Sequence, residues 1–191
     1  MSAAMDNWMR RHRLTVEEYH RMSEVGLLAP DARVELIEGE IIDMARPGPR
    51  HCAVVDRLNR LFIFAVGDFA IVRSQGPVLL SRWSEPQPDL LLLQPESDFY
   101  MHAHPTGVNV FLAVEVSDST LKYDQEIKAP LYARHDIPEF WLVDIQRATL
   151  NIFSRPERGR YAEHLAITEL GIVPISGLQG VQVDLTGIFG S

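Results

Sequence analysis

The sequence predicts an α/β domain in which helices flank a mixed central β-sheet. Apolar residues recur at spacings of three and four between residues 51 and 66, which indicates a helix with one buried face. Continuous apolar runs at 89–93 and 108–116 are typical of central strands that are buried on both faces. Because no linker or repeat interrupts this alternation, residues 1–191 are expected to form a single domain, with a loose N-terminal tail at residues 1–12.

The first elements after that tail are predicted to be a helix and a β-hairpin. Thr15 is followed three residues later by Glu18, the spacing of a capping box, and Gly26 ends the predicted helix. Apolar and polar residues then alternate over 33–44. Gly39 lies at the centre of this alternation, where a tight turn requires a positive φ.

Short strands are predicted to follow the buried helix. They lie at 69–73 and 77–81 and precede the two continuous apolar strands. Between the apolar strands, residues 94–107 form a polar stretch, and a loop of that length is often functional or mobile.

A later helix is predicted over residues 124–135. Pro130 falls beyond its first turn, where proline is unfavourable, so we expect a kink there or a start later than Asp124. Two further strands are predicted at 139–145 and 149–154, with one or two more in 161–189.

Composition and charge limit the possible functions. Hydrophobic residues make up 46% of the chain and charged residues 23%, an ordinary globular balance. The net charge of −8 argues against a protein that coats nucleic acid broadly, because phosphate binding depends on Lys and Arg; a nuclease with acidic metal ligands stays possible. A single cysteine, Cys52, excludes an intrachain disulfide and fits a cytoplasmic setting. No apolar run reaches the ~18 residues that span a bilayer, and no signal peptide is recognisable, so no membrane association is expected.

Two acidic residues differ from the others because each lies in an apolar strand. Asp89 begins the first run and Glu115 lies inside the second, where a carboxylate is costly unless a metal ion or a basic partner compensates it. If the two strands are neighbours, both carboxylates can reach one hard cation such as Mg²⁺. A structural role stays open for each, since Asp89 could cap a turn or pair with arginine and Glu115 could face solvent on an edge strand.

The same residues resemble the motif of a nuclease superfamily. Pro88-Asp89, followed by Glu115-Val116-Ser117, is similar to the bipartite PD-(D/E)XK motif. Residues 14–153 as a whole resemble the Uma2 family of bacterial proteins, formerly a domain of unknown function. The segments that carry this resemblance are Glu35 to Glu40, Pro49-Arg50-His51, Pro88-Asp89-Leu90, Val114 to Ser117, Ser119-Thr120, and Asp124 through Lys128 and Tyr132 to the run Glu139 to Asp144.

The resemblance implies a restriction-endonuclease-like fold. Its core order is helix, three strands, helix and strand. The predicted elements supply that order as the helix 51–66, strands near residues 77, 89 and 109, the helix 124–135 and the strand at 139.

The resemblance also implies a metal-dependent nuclease that hydrolyses phosphodiester bonds of DNA or RNA, with DNA the first expectation. Asp89 and Glu115 would hold Mg²⁺ or Mn²⁺, which would activate a water and polarise the phosphate. The superfamily motif places lysine two residues after the glutamate, and here that residue is Ser117. Lys128 matches the position of the family lysine and is favoured over Lys122; it would orient the water or stabilise developing charge.

Four further residues are candidates for supporting roles. Glu35 and Glu38 lie on the predicted hairpin and match family acids, so one could extend the metal site, or both could be solvated. His51 could contact phosphate or a group that supports the site, or it could cap or pack its helix. Tyr132 is one turn from Lys128 and could form a hydrogen bond within the site, or it could belong to the core.

A second function class fits the sequence as well. A catalytically silent member of the fold could bind nucleic acid or protein as an assembly module. Ser117 and the net charge favour this class, whereas Asp89, Glu115 and Lys128 together favour the enzyme. A homodimer is the first expectation for assembly, with Trp141 and apolar strand edges near the C-terminus as candidate contacts.

Overall fold

The computed structural model describes residues 11–190, so most of the predicted tail at residues 1–12 lies outside the described residues. The described residues divide into two compact units, one made of residues 11–44 and 79–86 and the other of residues 45–78 and 87–190. The expectation of a single domain over the whole chain stays a prediction.

The first unit begins with helix α1 (Val16–Glu24), and its start matches the predicted capping box. Thr15 is the N-cap. Its hydroxyl accepts a hydrogen bond from the backbone N–H of Glu18 at 3.2 Å, and the Glu18 carboxylate accepts one from the backbone N–H of Thr15 at 2.7 Å. The two bonds satisfy N–H groups that a helix start otherwise leaves without partners.

The predicted hairpin follows as strands β1 (Val34–Ile37) and β2 (Glu40–Asp43), which pair antiparallel. Its two turn residues, Glu38 and Gly39, have φ angles of 51° and 84°. Two consecutive positive φ angles are the signature of a type I′ turn, whose twist matches that of the flanking strands.

The second unit is built on a mixed six-stranded sheet, and the predicted α/β class is confirmed. All neighbouring strands of this sheet pair antiparallel except β5 and β6, which run parallel. The strands in sheet order, which is also chain order, are β3 (Ile71–Ser74), β4 (Leu90–Leu93), β5 (Val110–Ser117), β6 (Glu139–Asp144), β7 (Thr149–Glu157) and β8 (Arg160–Ile167). A separate antiparallel pair consists of β9 (Ile172–Pro174) and β10 (Gln182–Asp184).

The helices of the second unit precede the sheet or connect its strands. Helix α2 (Pro49–Val66) comes first. The crossover from β5 to β6 holds α3 (Leu121–Tyr123), a π-helical turn (Asp124–Lys128) and α4 (Ala129–Arg134). Among residues 11–190, no helix has the length and apolar character needed to span a membrane.

Helix α2 covers one face of the sheet with the apolar stripe that the sequence predicts. Val54, Leu58 and Phe62 belong to the buried cluster that includes Val114 of β5 and Trp141 of β6. Successive side chains of a strand point to opposite faces, so Glu115, which follows Val114, points away from this cluster. The alternation therefore places the Glu115 carboxylate on the face opposite to α2.

Three details of the sequence prediction are wrong. Residues 77–81 do not form a strand, because the chain turns back at once through reciprocal backbone bonds between Ser81 and Ser84. The first strand of the sheet is instead β3. The crossover helix starts earlier than Asp124, at Leu121, and the C-terminal tail contributes three strands instead of one or two.

A buried carboxylate fixes the C-terminal part of the chain to the sheet. Glu139 is 0% exposed and accepts hydrogen bonds from the indole N–H of Trp141 and, at 2.6 Å, from the backbone N–H of Ser176. Burial, and secondarily the charge of Glu139, raises the pKa of Tyr161, whose hydroxyl donates to the carbonyl of Ile137. The carboxylate thus satisfies the buried indole N–H of Trp141 and holds the backbone of Ser176.

Replacing Glu139 with alanine is expected to lower the free energy of unfolding by on the order of 2–4 kcal/mol, because the buried indole N–H of Trp141 and the backbone N–H of Ser176 both lose their acceptor. Urea denaturation followed by circular dichroism measures the change. The matched control is Glu163→Ala, an exposed acid on β8, which should change stability little. Equal losses in the two variants would contradict the role given to Glu139.

Candidate active site

The two predicted metal ligands lie side by side. Leu90 pairs with Val114 in the β4–β5 ladder, so Asp89, one residue before β4, lies beside the segment Glu115-Val116. The backbone N–H of Val116 donates to Oδ2 of Asp89 at 2.8 Å. The two apolar strands are neighbours, and their two carboxylate residues meet at one end of the ladder.

Glu115 is only 5% exposed and is bound by two side chains from the crossover. Its Oε1 accepts hydrogen bonds from Nζ of Lys128 at 2.8 Å and from the hydroxyl of Tyr132 at 2.7 Å. Lys128 and Tyr132 are four residues apart, so they lie on one side of the helical crossover. The lysine supplies the positive charge that a buried carboxylate requires.

The sequence left two lysines as candidates, and the structure separates them. The side chain of Lys128 is 4% exposed and contacts Glu115. The side chain of Lys122 is 84% exposed, and its nearest acid is Glu126 at 4.0 Å. The lysine that the family resemblance favoured is therefore the one that reaches the strand carboxylate.

His51 lies in the first turn of α2 and contacts the other carboxylate. Its Nε2 is 3.1 Å from Oδ2 of Asp89, and the two side chains are 13% and 14% exposed. Asp89 Oδ2 thus receives both the Val116 N–H and the imidazole. Of the roles left open for His51, a contact with a supporting site group fits this position.

The two hairpin acids lie in the first unit. Glu35 is 3% exposed on β1, and Glu38 occupies the hairpin turn, where its N–H donates to the hydroxyl of Ser84 at 2.9 Å. A solvated hairpin face therefore does not describe Glu35. A contribution of either residue to the metal site stays a prediction.

A hydrogen-bond chain near Lys128 was missed by the sequence reasoning. The helix was predicted to begin at Asp124, but Thr120 is the N-cap of α3, four residues earlier. The hydroxyl of Thr120 donates to Oδ2 of Asp124 at 2.6 Å and lies 3.3 Å from the hydroxyl of Ser117. Once the earlier helix start is known, the spacing of four residues between Thr120 and Asp124 predicts that their side chains can form a hydrogen bond.

The donor set suits a hard divalent cation. Mg²⁺ is usually held by one or two carboxylates with water and substrate phosphate, and Asp89 and Glu115 offer two carboxylates on adjacent strands. Within residues 11–190, no group of three or more His, Cys, Asp and Glu side chains gathers as a self-sufficient metal cage. His102 and His104 are exposed on the loop after β4. Asp89 and Glu115 therefore fit Mg²⁺ or Mn²⁺ better than they fit a metal that needs a complete protein shell.

Comparisons with known proteins agree with the fold. The sequence model of the Uma2 family, described as "Putative restriction endonuclease", matches residues 16–186, and the chain belongs to this family. A solved structure from Anabaena variabilis ATCC 29413, titled a "putative nuclease belonging to DUF820", is similar with a TM-score of 0.71 and 18% sequence identity. The similarity covers 92% of this chain and 97% of that one, and it shows a shared fold. No curated protein matches the chain.

The buried Lys128–Glu115 pair is expected to stabilise the protein strongly. Lys128→Met should lower the free energy of unfolding by about 3–5 kcal/mol, because it leaves the Glu115 charge buried beside an apolar side chain. Urea denaturation in metal-free buffer measures this change. Lys122→Met is the matched control and should have little effect.

A double-mutant cycle separates the pair from ordinary packing. The variant Glu115→Gln/Lys128→Met removes both charges and should lose less stability than the sum of the two single variants. Additive losses would mean that the two side chains do not depend on each other.

Proposed function

We propose that this protein is a cytoplasmic, Mg²⁺- or Mn²⁺-dependent nuclease that hydrolyses phosphodiester bonds, with DNA as the first expected substrate. The observation that carries the proposal is the convergence of Lys128 and Tyr132 on Glu115, beside Asp89. Membership of a family described as "Putative restriction endonuclease" supports the same activity.

Asp89 and Glu115 are the residues that would hold the cation. When bound, a divalent cation supplies Lewis-acid polarisation of the scissile phosphate and a water of lowered pKa. Both carboxylates are fixed before any ligand arrives, since Asp89 is held by the Val116 N–H and Glu115 by Lys128 and Tyr132. Fixed ligands need no reorganisation when the charge of the phosphate changes.

Lys128 would act on the phosphate through its ammonium group. It contacts Glu115, and from there it could donate a hydrogen bond to a phosphate oxygen or to the attacking water. Tyr132 would keep the Glu115 carboxylate in place as the ammonium shifts toward substrate. His51 would hold Asp89 in its orientation through the contact between the imidazole and Oδ2 of Asp89.

Cleavage by the purified protein is expected on at least one of four substrates: supercoiled plasmid, linear duplex DNA, single-stranded DNA and RNA. It should require Mg²⁺ or Mn²⁺. Asp89→Ala, Glu115→Gln and Lys128→Met should each lower kcat by about 100-fold or more, by analogy with the loss of one transition-state donor. Lys122→Met should retain wild-type activity. An absence of cleavage of all four substrates would refute the proposal.

Titration calorimetry with Mn²⁺ distinguishes the enzyme from a silent binding protein. Wild-type protein should bind the cation, and Asp89→Ala should weaken the binding. Nucleic-acid binding without cleavage under the same conditions would support the assembly-module alternative, which Ser117 at the motif lysine position favours. Metal binding that is unchanged in Asp89→Ala would remove Asp89 from the site.

Assembly as a homodimer is part of the same proposal, although Trp141 is 0% exposed and so cannot form the expected contact. A groove of about 410 Å³ offers an alternative contact at the edge of the six-stranded sheet where β3 is the terminal strand. Acidic residues line this groove, and Arg73 lies at its rim through a hydrogen bond to the carbonyl of Phe99. Opposite charges around one groove allow two copies to pair acid against base across a twofold axis. Residues that line the groove include Ile63, Asp68, Ile71, Val72, Glu96 and Phe99.

Light scattering coupled to gel filtration is expected to give twice the mass of the chain. Phe99→Asp should convert the dimer to a monomer. Phe99 is 67% exposed in the free chain, and aspartate in its place would bring a charge into the interface. Aspartate also tolerates the positive φ of 54° at this position. Leu27→Asp, at a residue of the first unit that is 71% exposed, is the control and should leave the mass unchanged. A wild-type monomer at micromolar concentration would contradict the dimer.

A further inference from the structure

Lys128 reaches Glu115 from a helix that is wound differently at this one point. The N–H of Ala129 donates to the carbonyl of Asp124, five residues back, instead of to residue 125 as in an α-helix. A π-helical turn accommodates one extra residue, and each residue of an α-helix corresponds to a rotation of about 100°. The turn therefore sets the direction of the side chains at its end and beyond, which include Lys128 and Tyr132.

Pro130 does not by itself explain where the turn lies. Proline lacks an N–H, so an α-helical residue at this position leaves a carbonyl of the preceding turn without its usual donor. This favours irregular winding before residue 130 but does not fix its start. A second contact is needed to hold the beginning of the turn at Asp124.

The hydrogen-bond chain from β5 supplies that contact. Ser117 is the last residue of β5, two residues after Glu115, and its hydroxyl lies 3.3 Å from that of Thr120. Thr120 donates to Oδ2 of Asp124, the first residue of the π-helical turn, at 2.6 Å. Thr120 is the N-cap of α3, yet its side chain makes no capping bond. Its hydroxyl serves Asp124 instead.

The surroundings make this chain of bonds rigid. Ser117 is 1% exposed and Asp124 is 4% exposed, so water competes little for their hydrogen bonds. Ser117 is also held in the sheet, since it pairs with Asp144 of β6. The start of the π-helical turn is therefore fixed to the same strand that carries Glu115.

We propose that Thr120 and Asp124 are positioning residues for Lys128. The chain Ser117–Thr120–Asp124 ties the π-helical turn to the end of β5 and so keeps the ammonium group on Glu115. Ser117, which stands where the motif has lysine, thereby helps to position Lys128. Its hydroxyl begins the series of hydrogen bonds that orients the lysine. The catalytic consequence rests on the proposed nuclease function, whereas the placement of the lysine does not.

The chain contains two lysines, which makes the placement measurable without any activity assay. Reductive methylation of the intact protein with ¹³C-formaldehyde, followed by mass spectrometry of peptides, reports how accessible each lysine is. Lys122, with a side chain 84% exposed, should react fast, and Lys128, 4% exposed, should react slowly. Thr120→Val removes the hydroxyl with little change in shape, and Asp124→Ala removes the acceptor.

Both variants should raise the methylation rate of Lys128 by about tenfold or more, the scale expected when a fixed contact is lost, and leave Lys122 unchanged. Thr120→Ser keeps the hydroxyl and should restore the slow rate. Glu139→Ala is the control for general loss of stability, because the Glu139 side chain bonds Trp141 and Ser176 and takes no part in the Ser117–Thr120–Asp124 chain. Lys128 should stay slow in that variant under native conditions. An unchanged Lys128 rate in folded Thr120→Val and Asp124→Ala would overturn the proposal.

Kinetics give the second measurement. Thr120→Val should lower kcat by about 10–100-fold, the range for a group displaced by about 1 Å, with KM changed little. Thr120→Ser should recover most of the rate. If kcat falls only as far as the folded fraction falls, the residues are structural and the proposal is wrong. If wild-type protein cleaves nothing, the proposed function fails, while the methylation result still decides the placement of Lys128.

Discussion

The buried charge of Glu115 is the constraint on which the site depends. A carboxylate inside a strand that is covered on both faces is tolerated only when something compensates it, and here one ammonium group and one phenol hydroxyl do so. Both groups come from the crossover between β5 and β6, so that segment must pack on the sheet in a position that brings both side chains to Glu115. The alternation of β5 leaves no other direction for Glu115, because Val114 and Val116 are committed to the cluster under α2.

The sequence was sufficient to find the parts of the site whose signal is local. Asp89 and Glu115 could be recognised because a charge in an apolar run has a free-energy cost that needs an explanation. The capping box at Thr15 and the turn at Gly39 were also local, and the structure contains both. Lys128 required the family resemblance, since spacing alone does not distinguish it from Lys122.

Other features could not be predicted, because they depend on contacts between distant segments. Residues 77–81 have the composition of a strand, but the turn at Ser81–Ser84 reverses the chain before a ladder can form. Pro130 indicated that the predicted helix could not be regular, but it did not indicate a π-helical turn, because a single such turn is too short to have a periodicity of its own. Trp141 could be an interface residue or a core residue on sequence grounds. Its place on β6, between β5 and β7, decides for the core.

The parallel pairing of β5 and β6 couples the stability of the crossover to ligand binding. Parallel neighbours need a long connection, and here that connection carries Lys128 while the carboxylates stay in the sheet. A partial unfolding that releases only the crossover would leave the buried Glu115 carboxylate without the ammonium group of Lys128. A phosphate that binds the ammonium group of Lys128 only while the crossover is folded must shift this equilibrium toward the folded crossover by mass action. The substrate would then complete the folding of the segment that acts on it, and protection of the crossover amides from hydrogen exchange would grow with substrate concentration.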